Sequence, residues 1–254
     1  MMMEAVLYVS HGSRVEETKE EAVSYIHQVH QEVATPLFEI CFLELAEPTM
    51  DQGIKRLVEK GATDITIAPV LLLSAGHYYH DIPDEIQAGV ALYPNIRFKY
   101  GKPLGIQKRI TRVLVDRIQE VASLQEDLHL VLVGRGSRNP ETKASIEQIA
   151  SWLGEEVGGA YVDVCYLAAC SPTFEEGTRR AVLSNKRTIV IPYLWFTGKL
   201  IQTMNKRVES LQQEGVPITM THYLGDHPIM IQALADRVHE AFVSEEWDQQ
   251  MRVR

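Results

Sequence analysis

The stretch His11-Gly-Ser-Arg-Val-Glu-Glu-Thr-Lys19 returns 124 residues later as Arg135-Gly-Ser-Arg-Asn-Pro-Glu-Thr-Lys143, with six of nine positions identical. The same offset carries Cys41 onto Cys165, Leu43 onto Leu167, Pro48 onto Pro172, Thr49 onto Thr173 and Gly53 onto Gly177. Pro69 then meets Pro192 and Tyr100 meets Tyr223 at an offset of 123, and Gly76 meets Gly198 at 122. Chance identities do not keep one offset over roughly ninety residues, so the chain is an internal duplication. The two copies are expected to divide it into domains 1–123 and 124–254, joined in the polar stretch Ser123–Asp127.

Each copy alternates two periodicities. Short runs rich in Val, Ile and Leu read as buried strands: Ala5–Val9, Leu37–Leu43, Ile65–Leu72 and Arg97–Tyr100, then Leu130–Val133, Val162–Leu167, Thr188–Leu194 and Ile218–His222. Between them apolar residues recur at helical spacing, as at Ala22, Val23, Ile26, Val29 and Val33, and at Met50, Ile54, Leu57 and Val58. Gly61 marks one helix end, and Asp81-Ile-Pro83-Asp84 reads as a helix start with Asp81 as N-cap. Strand–helix alternation predicts an α/β fold of two duplicated parallel-sheet domains. Ligands of such sheets sit beyond the carboxyl ends of the strands.

At those ends the copies differ in chemistry. Gly, Ser, Pro and Thr persist, but His11 becomes Arg135, Glu44 becomes Ala168, and His77 becomes Lys199 in the frame of Gly76 and Gly198. Two imidazoles and a carboxylate at three strand ends suit a first-row divalent metal with open coordination positions. The cations that replace them suit charge-assisted hydrogen bonds to carboxylates. His80 reads as an auxiliary ligand or a surface residue, and His27 and His30 as one helix face. Ser13 and Ser137 read as turn residues that cap the following helix, since no nucleophile elbow surrounds them. The glycines match neither a P-loop nor a dinucleotide fingerprint.

Bulk properties narrow the function further. The 254 residues are 45% hydrophobic and 23% charged, a globular composition. A formal net charge of −9 disfavours nucleic acid as a partner, because that binding is largely phosphate neutralisation. The apolar runs are too short to cross a bilayer and no signal pattern precedes the first strand, so the protein is expected in the cytoplasm; a monomer is the expected state, though nothing in the sequence sets it. Three cysteines without a C-x-x-C pair fit reduced thiols, with Cys41 and Cys165 as small buried residues.

Leu7-Tyr-Val-Ser-His-Gly-Ser-Arg14, Phe42-Leu-Glu-Leu-Ala-Glu-Pro-Thr49 and Leu71-Leu-Leu-Ser-Ala-Gly-His-Tyr-Tyr-His-Asp-Ile-Pro83 resemble the signature blocks of the SirB/CbiX class II chelatases. The resemblance spans nearly the whole chain, duplication included. It implies two flavodoxin-like domains facing a central cleft, and a lyase that inserts Fe²⁺ or Co²⁺ into sirohydrochlorin, for sirohaem or cobalamin, without ATP. The family's metal-binding histidines fall on His11 and His77, and its first-half carboxylate on Glu44. No permanently bound cofactor is implied; the metal is a substrate, and Ni²⁺ is expected to bind as well. Sirohydrochlorin is a polycarboxylate, so Ser13, Arg14, Arg135, Arg138 and Lys199 are the candidate substrate contacts. The ending Met251-Arg-Val-Arg254 lacks the His-rich and Cys-bearing extensions of long cobalt-handling members, which points to iron. Two other readings stand beside this one. A histidine phosphatase would need Arg rather than Ser10 before His11, and a metal or tetrapyrrole carrier would use the same ligands without turnover.

Overall fold

The computed structural model describes residues 3–74, 76–184, 186–245 and 247; Met251–Arg254 lie outside them. Its strands are β1 (Glu4–Ser10), β2 (Leu37–Phe42), β3 (Asp64–Val70), β4 (Arg97–Tyr100), β5 (Leu128–Gly134), β6 (Val162–Tyr166), β7 (Arg187–Tyr193) and β8 (Ile218–Met220). The helices are α1 (Glu16–Val33), α2 (Met50–Glu59), α3 (Ile82–Leu92), α4 (Lys108–Gln119), α5 (Pro140–Glu156), α6 (Phe174–Leu183), α7 (Lys199–Gln213) and α8 (Pro228–Phe242). A π-helical turn, His77–Asp81, leads directly into α3.

All pairings between strands are parallel, in the orders β2-β1-β3-β4 and β6-β5-β7-β8. The chain adds strands to one side of β1 and then to the other, so the strand order reverses at β1/β3 and, in the same way, at β5/β7, the switch points where open α/β sheets bind ligands. The central strands read as nearly continuous apolar runs because helices cover both their faces; β3 is buried along its whole length.

The chain folds into two compact units whose boundaries differ from 1–123 and 124–254. One comprises the chain up to Gly105 together with the chain from Ile231 onward; the other is Ile106–Met230. Specific bonds draw each helix to its unit. In the first, Arg237 donates to the Leu104 carbonyl through Nε (3.2 Å) and Nη2 (2.9 Å), Lys99 donates to the Phe242 carbonyl, and Trp247 meets Tyr100 edge-on. In the second, α4 packs on α5 and β7, and Arg117 donates to the carbonyls of Tyr223 (3.1 Å) and Leu224 (3.2 Å). No described helix is long and apolar enough to cross a membrane.

The repeated Cys/Gly pairs mark a close approach of helix to strand. A Cβ on Gly53 of α2 would lie 2.7 Å from Leu7 Cδ1 and 3.3 Å from Cys41 Cβ. One on Gly177 of α6 would lie 2.8 Å from Cys165 Sγ. Both thiols are buried and free, and burial pushes the Cys165 thiol up to about 12. They are small core residues, as expected of them.

Candidate metal centre

The backbone places His11 beside Glu44. Beyond the end of the β1–β2 ladder, the Leu43 N–H donates to the Ser10 carbonyl (2.9 Å) and the Glu44 N–H to the His11 carbonyl (3.1 Å). The loops after the two strands thus stay zipped together. Gly12 makes this possible: it sits at φ +92°, and a Cβ there would stand 1.9 Å from the Glu44 carbonyl oxygen. The second unit repeats the construction. Leu167 and Ala168 donate to Gly134 (3.1 Å) and Arg135 (2.9 Å), and a Cβ on Gly136, at φ +85°, would stand 1.8 Å from the Ala168 oxygen. Leu45 and Ala169 both take the left-handed conformation, at φ 63° and 58°. The turn is copied; the side chains that it presents are not.

In the first unit His77, after β3, completes a cluster. His11, Glu44 and His77 each offer a ligand atom, and these atoms lie within 4.8 Å of one another. His11 Nε2 is 3.4 Å from Glu44 Oε1, and the two imidazoles meet edge to face with centroids 4.7 Å apart. Protonation follows from the partners. His11 Nδ1 lies 3.3 Å from the Gly12 carbonyl and Nε2 faces the Glu44 carboxylate; with the ring proton given to Gly12, Nε2 is left as the ligand nitrogen for a cation held between it and Glu44. His77 Nδ1 lies 2.7 Å from Asp81 Oδ2, another pure acceptor. The three ligand atoms lie close enough together to share one divalent cation. The three side chains keep 30%, 47% and 31% of their surface, so the point remains open to an incoming reactant.

The other candidates fall as follows. The Ser13 hydroxyl accepts from the Val15 N–H (3.0 Å) and that of Ser137 from the Asn139 N–H (3.1 Å). Each serine therefore closes the turn before its helix and is not the N-cap, which is Val15 for α1 and Asn139 for α5. Arg14, Arg135, Arg138 and Lys199 are exposed, and none joins an ion pair among the described residues. His80 is exposed and outside the cluster. His30 is a packing residue: it stacks on Phe38 at 3.8 Å and bonds the Thr35 carbonyl (2.9 Å) and the Tyr8 hydroxyl (3.2 Å). Burial lowers its pKa. His129 joins Asp163 (2.7 Å) and Thr188 (3.2 Å) at the other end of its strand.

Two further sequence expectations change. Asp81 is not an N-cap: its backbone is already helical (φ −63°, ψ −48°), it makes no capping bond, and its carboxylate is spent on His77. The i, i+4 spacing of His77 and Asp81 is the sequence signal for this contact. The counterpart of His77 also moves. The buried residues of α7 are Ile201, Met204, Val208 and Leu211, while the first unit buries Tyr78, Ile82, Ile86 and Gly89. Matching these faces sets His77 opposite Leu200, one residue past Lys199, because the π-helical turn holds one residue more.

Comparison with known proteins agrees with this geometry. The sequence model of the CbiX family matches the chain twice, over residues 5–121 and 129–241. A sirohydrochlorin ferrochelatase of Priestia megaterium is 42% identical over 93% of this chain and 90% of its own length. A sirohydrochlorin cobaltochelatase of the same organism is 33% identical over 96% of this chain and 81% of its own length. The solved structure of SirB from Bacillus subtilis with Fe³⁺ superposes with a TM-score of 0.87 at 36% identity, covering 95% of this chain and 96% of that one. With the duplicated turn, the parallel sheets and the His/Glu/His cluster in place, these matches assign the chain to the CbiX family.

Proposed function

We propose that this protein is a chelatase that inserts Fe²⁺ into sirohydrochlorin to form sirohaem, without ATP, as a cytoplasmic monomer. The observation that carries the reading is the convergence of His11, Glu44 and His77 at the carboxyl ends of three neighbouring strands. The names of the ferrochelatase and of the SirB structure support iron.

Metal insertion must strip water from the ion, hold it at the ring and remove the pyrrole protons. His11 and His77 bind the ion through neutral imidazole nitrogens, which exchange ligands readily. Glu44 supplies charge and, beside the ion, a base for a departing proton. Partial exposure of all three leaves coordination positions for the ring nitrogens. Arg14, Arg135, Arg138 and Lys199, none of them neutralised by a carboxylate among the described residues, are assigned to the carboxylates of the substrate, and Ser13 to the turn that carries Arg14.

The cobaltochelatase relative supports Co²⁺ as a second metal, and imidazole/carboxylate sites choose weakly among first-row ions, Ni²⁺ included. The test is optical. Purified protein is mixed with excess sirohydrochlorin and either Fe²⁺ or Co²⁺, and the tetrapyrrole absorption is followed. Many turnovers per chain, faster with Fe²⁺, are expected. Faster turnover with Co²⁺ reverses the metal assignment, and a stoichiometric change makes the protein a carrier.

A further inference from the structure

We infer that Asp81 is a positioning residue of the metal centre, held against His77 within the π-helical turn His77–Asp81. The inference rests on the reading of His77 as a metal ligand. The Asp81 carboxylate, 2.7 Å from Nδ1, can only accept, so it takes the Nδ1 proton and leaves the Nε2 lone pair as the ligand. Without it the imidazole is free to exchange tautomers and to turn about its side-chain bonds.

Three observations tie this bond to function and not to helix stability. First, Asp81 makes no capping bond, and its side chain keeps 59% of its surface. Second, the wide turn is built. The Ile82 N–H bonds the His77 carbonyl, five residues back, whereas in α7 the Gln202 N–H bonds the Gly198 carbonyl, four back. A wide turn disturbs the regular carbonyl ladder, and here the Tyr78 carbonyl accepts from the Tyr100 hydroxyl (2.9 Å), with the two rings stacked at 5.0 Å. The single-turn π insertion is a recurrent feature of functional sites. Third, the duplication supplies a control. The residue of α7 matching Asp81 is Thr203, whose hydroxyl donates to the Lys199 carbonyl (2.8 Å). The copy without the metal-binding histidine lacks both the extra residue and the carboxylate.

The test uses the full-length, metal-free protein and Co²⁺ alone as the probe. Long-range ¹H–¹⁵N spectra above the imidazole titration range should show His77 protonated at Nδ1 in the wild type and in Asp81→Asn, whose amide oxygen still accepts. In Asp81→Ala the Nε2-protonated form should appear. Visible Co²⁺ titrations should show the dissociation constant raised about 10- to 100-fold in Asp81→Ala, with Asp81→Asn close to wild type. His77→Ala and His77→Ala/Asp81→Ala should bind Co²⁺ alike, since Asp81 acts through His77. An unchanged tautomer or affinity in Asp81→Ala overturns the inference, as does Asp81→Asn as weak as Asp81→Ala, which would make charge and not orientation the cause. Wild-type protein that fails to bind Co²⁺ through His77 overturns the metal centre itself, whatever the tautomer.

Discussion

The two units present the same turn with opposite chemistry. After the first strand of each, a glycine in left-handed conformation passes under a carbonyl of the neighbouring loop, and a serine closes the turn before the helix. On that frame the first unit mounts two imidazoles and a carboxylate; the second mounts Arg135 and Ala168. The difference separates what the turn needs from what the chemistry needs. Residues kept in both copies, such as Gly12/Gly136, Ser13/Ser137 and Gly53/Gly177, have steric or hydrogen-bonding reasons that hold in each unit alone. His11, Glu44 and His77, each found in one copy, have no part in that frame, and their ligand atoms gather within 4.8 Å of one another.

That comparison can be attacked where it is most exposed. Replacing His11 or His77 with Ala should lower the rate of metal insertion by more than the roughly 10- to 100-fold that loss of an outer partner costs, with the fold intact by circular dichroism. Near-wild-type turnover in either variant would remove that residue from the centre.

A pair of matched substitutions separates frame from chemistry. Gly12→Ala and Gly136→Ala put a Cβ 1.9 Å and 1.8 Å from a carbonyl oxygen. Each should destabilise the protein by more than about 1 kcal/mol in urea unfolding. Gly12→Ala alone should also weaken Co²⁺ binding, because only its clash displaces a ligand-bearing loop. Equal losses of Co²⁺ affinity would mean that both turns serve the metal.

Arg135→Ala probes the other side of the comparison. It should raise KM for the tetrapyrrole roughly threefold to tenfold, as for loss of one charged hydrogen bond to an exposed partner, while Co²⁺ affinity stays put. Unchanged steady-state kinetics would remove Arg135 from the substrate contacts.

The smallest effect lies at the far end of the sheets, where Asp64 of β3 stands in the register position that Arg187 holds in β7. Burial raises the Asp64 carboxyl, but hydrogen bonds from Arg97 and Thr63 and the charges of Arg97 and Lys99 outweigh it and hold the group below its usual value. Its stabilisation is therefore full above the unfolded carboxylate's pKa, about pH 4, and is lost as pH falls through the lower folded value. Asp64→Asn should cost about 1 kcal/mol or less at neutral pH, a deficit that closes in acid. A deficit of the same size in acid would show that shape, and not charge, sets the effect.

Periodicity and the repeat made most of the architecture readable. All eight strands were foreseen within a few residues, since buried parallel strands leave continuous apolar runs that little else produces. The ligand candidates were readable for a different reason: a duplicated chain carries its own control, and His11, Glu44 and His77 are unmatched in it. Local rules make an Asp before Ile-Pro an N-cap, and Asp81 departs from them because its carboxylate bonds His77. The choice between an i+4 and an i+5 hydrogen bond leaves no mark in apolar spacing until the buried face of α7 is set against it. The serine hydroxyls accept a backbone N–H in the turns that the sequence predicts, one step ahead of the helix caps.

Thus strand and helix identity, the duplication and the placing of unlike side chains at like strand ends lie in the order of residues, because each depends on spacing along the chain. The clash that makes Gly12 obligatory, the meeting of His77 with His11 and Glu44 and the return of the chain from Ile231 to the first unit do not. They depend on contacts among loops, turns and side chains set by the fold. Those contacts are selected by packing and by hydrogen-bond competition, which no local pattern records.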